Sequence, residues 1–143
     1  MNSCFALMGT SPTIRHVQHL VFKVTDIDTP VIITGESGTG KDLVAKAIHD
    51  RSPRASQPFV PIKCAALSEE EIEIEIFGER SPNSQGRPGG LILAGGGTVY
   101  IDEISKLSLP LQSLLLQAIQ EKTIYPQGPE KAIQIQSRVI CSS

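Results

Sequence analysis

Tryptophan is absent from this 143-residue chain, and aromatic residues make up only 4% of it. So few rings cannot build the stacking platforms on which single-stranded nucleic acids lie. Basic residues are not in excess either: 13 Lys and Arg stand against 15 Asp and Glu, a net charge of -2. That balance excludes a broad cationic surface for DNA or RNA within this stretch. No apolar run approaches the roughly 20 residues of a membrane-crossing helix. The first eight residues lack the basic start and long apolar stretch of a secretory leader. The three cysteines, Cys4, Cys64 and Cys141, show no Cys-x-x-Cys spacing, which suits inert thiols in a reducing cytoplasm.

What remains is an ordinary core-forming composition, 40% hydrophobic, in a chain long enough for one domain or a large piece of one. Residues 1–10 read as a lead-in. Ser11-Pro12 is a helix start, and Ile14, Val17, Val21 and Val24 follow at helical spacing. Residues 31–34 form a β-branched strand. A helix from Lys41 to about Arg51 is expected to bury Leu43, Val44, Ala47 and Ile48. Residues 59–62 make a short strand, and Pro61 inside it points to an edge or a strand end. Ser68 and Glu71 have capping-box spacing, so a helix is expected there, although Ile72-Glu73-Ile74-Glu75-Ile76 alternates as a strand does. Residues 79–90 are a polar loop rich in Gly and Pro. A strand at 98–101, a helix with Leu107, Leu111, Leu114, Leu115, Ala118 and Ile119 on one face, and a strand region at 133–141 complete the pattern. Alternating strands and helices imply a parallel sheet covered on both faces, with ligands at the carboxyl ends of its strands.

Two motifs fall at such ends. Gly35-Glu36-Ser37-Gly38-Thr39-Gly40-Lys41 follows the strand at 31–34 and opens a helix. It fits the phosphate-wrapping loop G-x-x-x-x-G-K. Its glycines let successive N–H groups turn toward an anion, Lys41 adds charge, and the helix N-terminus adds its dipole. Asp42 stands where the fuller pattern has a magnesium-touching Ser or Thr. About 60 residues on, Val99-Tyr100-Ile101-Asp102-Glu103 is an apolar strand ending in two acids. After a phosphate loop, such a strand places Asp102 to hold Mg2+, mostly through water, and Glu103 to orient or deprotonate the attacking water.

These residues resemble a family. Gly35 to Asp42, Ala47-Ile48-His49, Ser52-Pro53-Arg54, Cys64-Ala65-Ala66-Leu67, Phe77-Gly78 and Gly96 to Ile104 resemble the central AAA+ domain of sigma-54-dependent transcriptional activators. The resemblance implies a P-loop NTPase of AAA+ type, a three-layer α/β/α parallel sheet over residues 11–143, cut before its fifth strand and helical lid. It implies ATP and Mg2+ as ligands, with Gly35, Glu36, Ser37, Gly38, Thr39, Gly40, Lys41 and Asp42 binding phosphate, Asp102 on the metal and Glu103 catalytic. Ser143 falls near the family's sensor I segment. It further implies a ring oligomer, a response-regulator parent, sigma-54 RNA polymerase as partner, and DNA contacts only through another domain. No membrane partner is expected.

Two departures open a second reading. No GAFTGA follows Phe77-Gly78, and Lys63 replaces the Asn that in the family governs the catalytic glutamate. Lys63 reads first as a solvated side chain; the alternative is a cation paired with Glu103 that holds it from water. The second reading is therefore a nucleotide-binding regulatory module with little hydrolysis and no sigma-54 contact. Glu69 to Glu75 read as a solvated acidic face, His16 and His19 as surface residues, and His49 as structural.

Overall fold

A computed structural model describes residues 5–8 (backbone only), 30–34, 40–79, 86–126 and 130–143. The helix expected from Ser11, with His16 and His19, lies outside the described residues, as do Cys4, residues 35–39 and residues 80–85. In chain order the strands are β1 (Phe5–Met8), β2 (Val31–Thr34), β3 (Phe59–Lys63), β4 (Thr98–Asp102), β5 (Thr123–Ile124), β6 (Ile133–Gln134) and β7 (Arg138–Ser142). The helices are α1 (Lys41–Asp50), α2 (Glu69–Phe77), α3 (Gly90–Leu93) and α4 (Leu109–Glu121). No helix among the described residues is long and apolar enough to cross a membrane.

The main sheet runs β1-β2-β7-β4-β3, and every pairing in it is parallel. Its fifth strand is Phe5–Met8, at the edge beside β2, within the segment read from the sequence as a lead-in. β3 forms the opposite edge, where Pro61 and its missing N–H are tolerated. The expected final strand region resolves into two elements. Ile133–Gln134 pairs antiparallel with β5, and only Arg138–Ser142 joins the main sheet.

Period-two alternation divides the core between the two faces. Val31, Ile33, Tyr100 and Ile140 pack with Ala45 and Ile48 of α1. Val99, Ile101, Val139 and Cys141 pack on the other side with Ile72 and Ile76 of α2, Leu91 of α3, and Leu111 and Leu115 of α4. This is the expected three-layer arrangement. Leu43 corrects the expected face of α1: it is 72% exposed, and Ala45 is buried instead.

α2 is a helix despite its alternating sequence. Ser68 Oγ accepts from the Glu71 amide at 3.2 Å, and Glu71 Oε1 accepts from the Ser68 amide at 3.0 Å. The reciprocal cap satisfies two helix-end donors. Ile72 and Ile76, one turn apart, then bury together. The polar loop that follows is pinched at its base: the Glu79 amide donates to the Arg87 carbonyl at 2.8 Å, and Gly78 bridges Pro88.

Candidate functional site

The carboxyl edge of the sheet gathers four charged side chains. Gly40 precedes α1 at φ 81°, a left-handed conformation that favours glycine, and its carbonyl accepts from Val44 to start the helix. Lys41, first in α1, is only 6% exposed. Its Nζ donates to the Ser143 carbonyl at 2.8 Å and lies 3.6 Å from Glu103 Oε1. Asp42 lies on the exposed side of the first helical turn. Gly35, Glu36, Ser37, Gly38 and Thr39, expected from the sequence to bind phosphate, fall outside the described residues.

Asp102 ends β4 between two neighbours. In register, Lys63 of β3 stands directly opposite it, and Lys63 Nζ lies 3.7 Å from Asp102 Oδ2. Lys63 is largely solvated, 57% exposed, as its first reading has it, and the acid it faces is Asp102 rather than the alternative Glu103. Glu103 leaves the strand with φ 66° and ψ 61°, and that turn carries its carboxylate to Lys41. On the other flank, Tyr100 pairs with Ile140 of β7, so two residues later the alternation brings Asp102 beside Ser142. Ser142 Oγ donates to Asp102 Oδ1 at 2.7 Å. It accepts from the Tyr100 hydroxyl at 3.1 Å and from the Glu103 amide at 3.2 Å.

Burial, with lesser contributions from nearby Asp102 and Asp42, pushes the Tyr100 hydroxyl up to about 12, so it remains a donor. Cys64 is pushed up to about 11 by burial first and then by Asp102 and Glu103. A thiol so shifted is inert, matching the sequence expectation. His49 is structural: its Nε2–H donates to the Gln57 carbonyl at 2.9 Å, so Nδ1 accepts from the Thr98 hydroxyl at 2.7 Å. Arg54 is likewise structural, donating to the Gly96 and Gln136 carbonyls, each at 2.6 Å.

A family model described as the sigma-54 interaction domain matches residues 7–143. The chain belongs to that family. This sigma-54 interaction domain is 38% identical over 141 residues to the response regulator protein PilR of Pseudomonas aeruginosa, covering 96% of this chain and 32% of that protein. It is 40% identical over 141 residues to a Nif-specific regulatory protein of Rhodobacter capsulatus, covering 96% and 24%. The chain thus spans about a third or less of the curated relatives it matches. NtrX of Brucella abortus, solved in complex with ATP, is similar with a TM-score of 0.81 and 34% identity, over 96% of this chain and 31% of that one. The P-loop NTPase domain of an E. coli sigma-54 transport activator, at 18% identity and a TM-score of 0.60, supports the fold.

Sequence reasoning brought Lys41, Asp102 and Glu103 to one edge of the sigma-54 interaction domain. It missed Ser142, Tyr100 and the Ser143 carbonyl. The available signal was phase: Tyr100 and Asp102 on one strand, and Ser142 two residues after Ile140 on another, are polar groups on the α1 side of apolar strands.

Proposed function

We propose that this domain is the ATP-binding core of a sigma-54-type transcriptional regulator, with ATP hydrolysis in a ring of identical subunits coupled to transcription control in the cytoplasm. One observation carries the reading: a nearly buried lysine at a helix N-terminus lies 3.6 Å from the second of two strand-end acids. Lys41 Nζ bonds the Ser143 carbonyl and lies beside Glu103 Oε1. Phosphate oxygens are the stronger acceptors for this ammonium. Binding would therefore draw Lys41 to the outer phosphates and release Glu103 to orient or deprotonate water.

The hard oxygens of Asp102 suit Mg2+, which takes one or two carboxylates together with substrate phosphates. When bound, Mg2+ supplies positive charge against the developing charge on the phosphates. NtrX crystallised with ADP and with ATP supports the nucleotide assignment. The regulatory names of PilR and of the Nif-specific protein support the transcriptional one. DNA contact is assigned to another domain of the parent protein, and sigma-54 RNA polymerase is its partner on this reading.

A second reading rests on Lys63, whose cation already faces Asp102 Oδ2, and on the loop without GAFTGA. It is a nucleotide-binding regulatory module with little hydrolysis and no sigma-54 contact. Calorimetric titration of the parent protein with ATP and Mg2+ tests what the readings share. Saturable binding is expected. Lys41→Ala should weaken it at least about tenfold, because a hydrogen bond to a charged group contributes about 1.5–3 kcal/mol. Absence of binding by the wild type would overturn both readings, and the turnover number separates them.

A further inference from the structure

Beyond the motif residues, we propose that Ser142 is a positioning residue for both acids of the site. The inference rests on the nucleotide reading above. Ser142 is fully buried at the end of β7, directly beside the end of β4. A serine hydroxyl has one proton and two lone pairs. Here all three are committed. The Tyr100 hydroxyl and the Glu103 amide each donate to it, at 3.1 and 3.2 Å. The Tyr100 hydroxyl also reaches Asp102 Oδ1, at a longer 3.5 Å, and Ser142 is its nearer acceptor; the carboxylate, which only accepts, takes the single Ser142 proton at 2.7 Å. That length belongs to the short, charge-assisted class of hydrogen bonds.

Two consequences follow for the acids. Asp102 is fixed in rotation about its carboxyl axis: Oδ1 is held inward by Ser142 at 2.7 Å, with the Tyr100 hydroxyl at a longer 3.5 Å, and Oδ2 is left toward Lys63. Glu103 is held at φ 66°, a left-handed conformation that residues with a β-carbon avoid, and its amide is anchored on the same oxygen. One hydroxyl thus sets which Asp102 oxygen can meet a hydrated cation and keeps the backbone turn that aims Glu103 at Lys41. Groups that orient metal-binding carboxylates act this way in general, and their loss costs roughly 10–100-fold in metal affinity or activity.

The deciding experiment measures the affinity of the parent protein for a fluorescent ATP analogue, with MgCl2 and with EDTA, for the wild type, Ser142→Ala and Ser142→Thr. The wild type is expected to bind more tightly with Mg2+. Ser142→Ala should keep its affinity in EDTA but lose roughly tenfold or more of the Mg2+-dependent gain. Ser142→Thr retains the hydroxyl and should restore that gain. A merely structural serine would move the melting temperature and both affinities together. An unchanged Mg2+ gain in a folded Ser142→Ala overturns the proposal, and so does a wild type indifferent to Mg2+. A wild type that binds the analogue in neither condition overturns the nucleotide reading instead. Where Ser142→Ala does not fold, Ser142→Cys decides: the thiol is close in size but a weak donor, so a loss of the Mg2+ gain is expected, and no loss overturns the proposal.

Discussion

Lys63 ends an edge strand with its ammonium 3.7 Å from Asp102 Oδ2, yet its side chain is 57% exposed. Water screens such a pair, which contributes about 0.2–1 kcal/mol. Lys63 is therefore a modest competitor for the Asp102 carboxylate rather than a lock on the site. Replacing it by asparagine removes the charge and should raise ATP turnover of the parent protein by at most about fivefold, the rate equivalent of the upper end of that energy. A steady-state assay with an equal or lower rate would refute the competition. The contrast with Lys41, 6% exposed and bonded to a backbone carbonyl, is a contrast of burial. The two lysines also show what was legible in the sequence. Lys41, Asp102 and Glu103 sit in contiguous motifs whose chemistry can be read without a fold. The partner of Lys63 depends on strand register and on the left-handed turn at Glu103, and neither is written in a local pattern.

Among the elements, β4 is entered through Gly95-Gly96-Gly97, three residues identical in sequence and unequal in role. A β-carbon on Gly97 would collide with the Pro58 carbonyl, the same oxygen that accepts from the Thr98 amide and aligns β4 with β3. A β-carbon on Gly96 would meet nothing nearer than the Gln57 side chain at 3.9 Å. Gly97→Ala should therefore destabilise the domain by about 1–3 kcal/mol, as overpacking does, whereas Gly96→Ala should leave denaturant midpoints nearly unchanged. Equal effects in chemical denaturation would refute the assignment of the close approach to Gly97. Legibility at this scale followed the strength of local signals. The capping box at Ser68 overrode the strand-like alternation of Ile72, Ile74 and Ile76, because a helix buries Ile72 with Ile76 and needs no third isoleucine on the same face. Leu43 was misread because helical spacing alone does not say which stripe of α1 meets the sheet. Residues 1–10 gave no sign that Phe5–Met8 would take an edge position, since a four-residue apolar run has no diagnostic period.

For the molecule as a whole, the joint between the helical layer and the sheet is a histidine. His49, on the last turn of α1, bonds Thr98 at the start of β4 and the Gln57 carbonyl before β3, and its ring lies 5.4 Å from that of Phe59. Burial lowers its pKa below 6.5, with Lys46 and Arg54 acting in the same direction and the Gln57 bond and Asp50 opposing. The native state therefore favours the neutral ring, and the unfolded chain binds the proton more readily. Stability from this group is fully present above pH 6.5 and is lost as the pH falls from there through the lower native pKa. Each unit of depression corresponds to about 1.4 kcal/mol. Unfolding free energies measured by denaturant between pH 8 and pH 5 should fall across that window. In His49→Gln, which has no proton to gain, the slope should be shallower, although the variant is less stable overall through imperfect replacement of two hydrogen bonds. A slope unchanged by the substitution would place the pH sensitivity elsewhere. A slope that flattens would identify the link between α1 and β4 as the acid-labile joint of the domain, some distance along the same helix from the lysine that begins it.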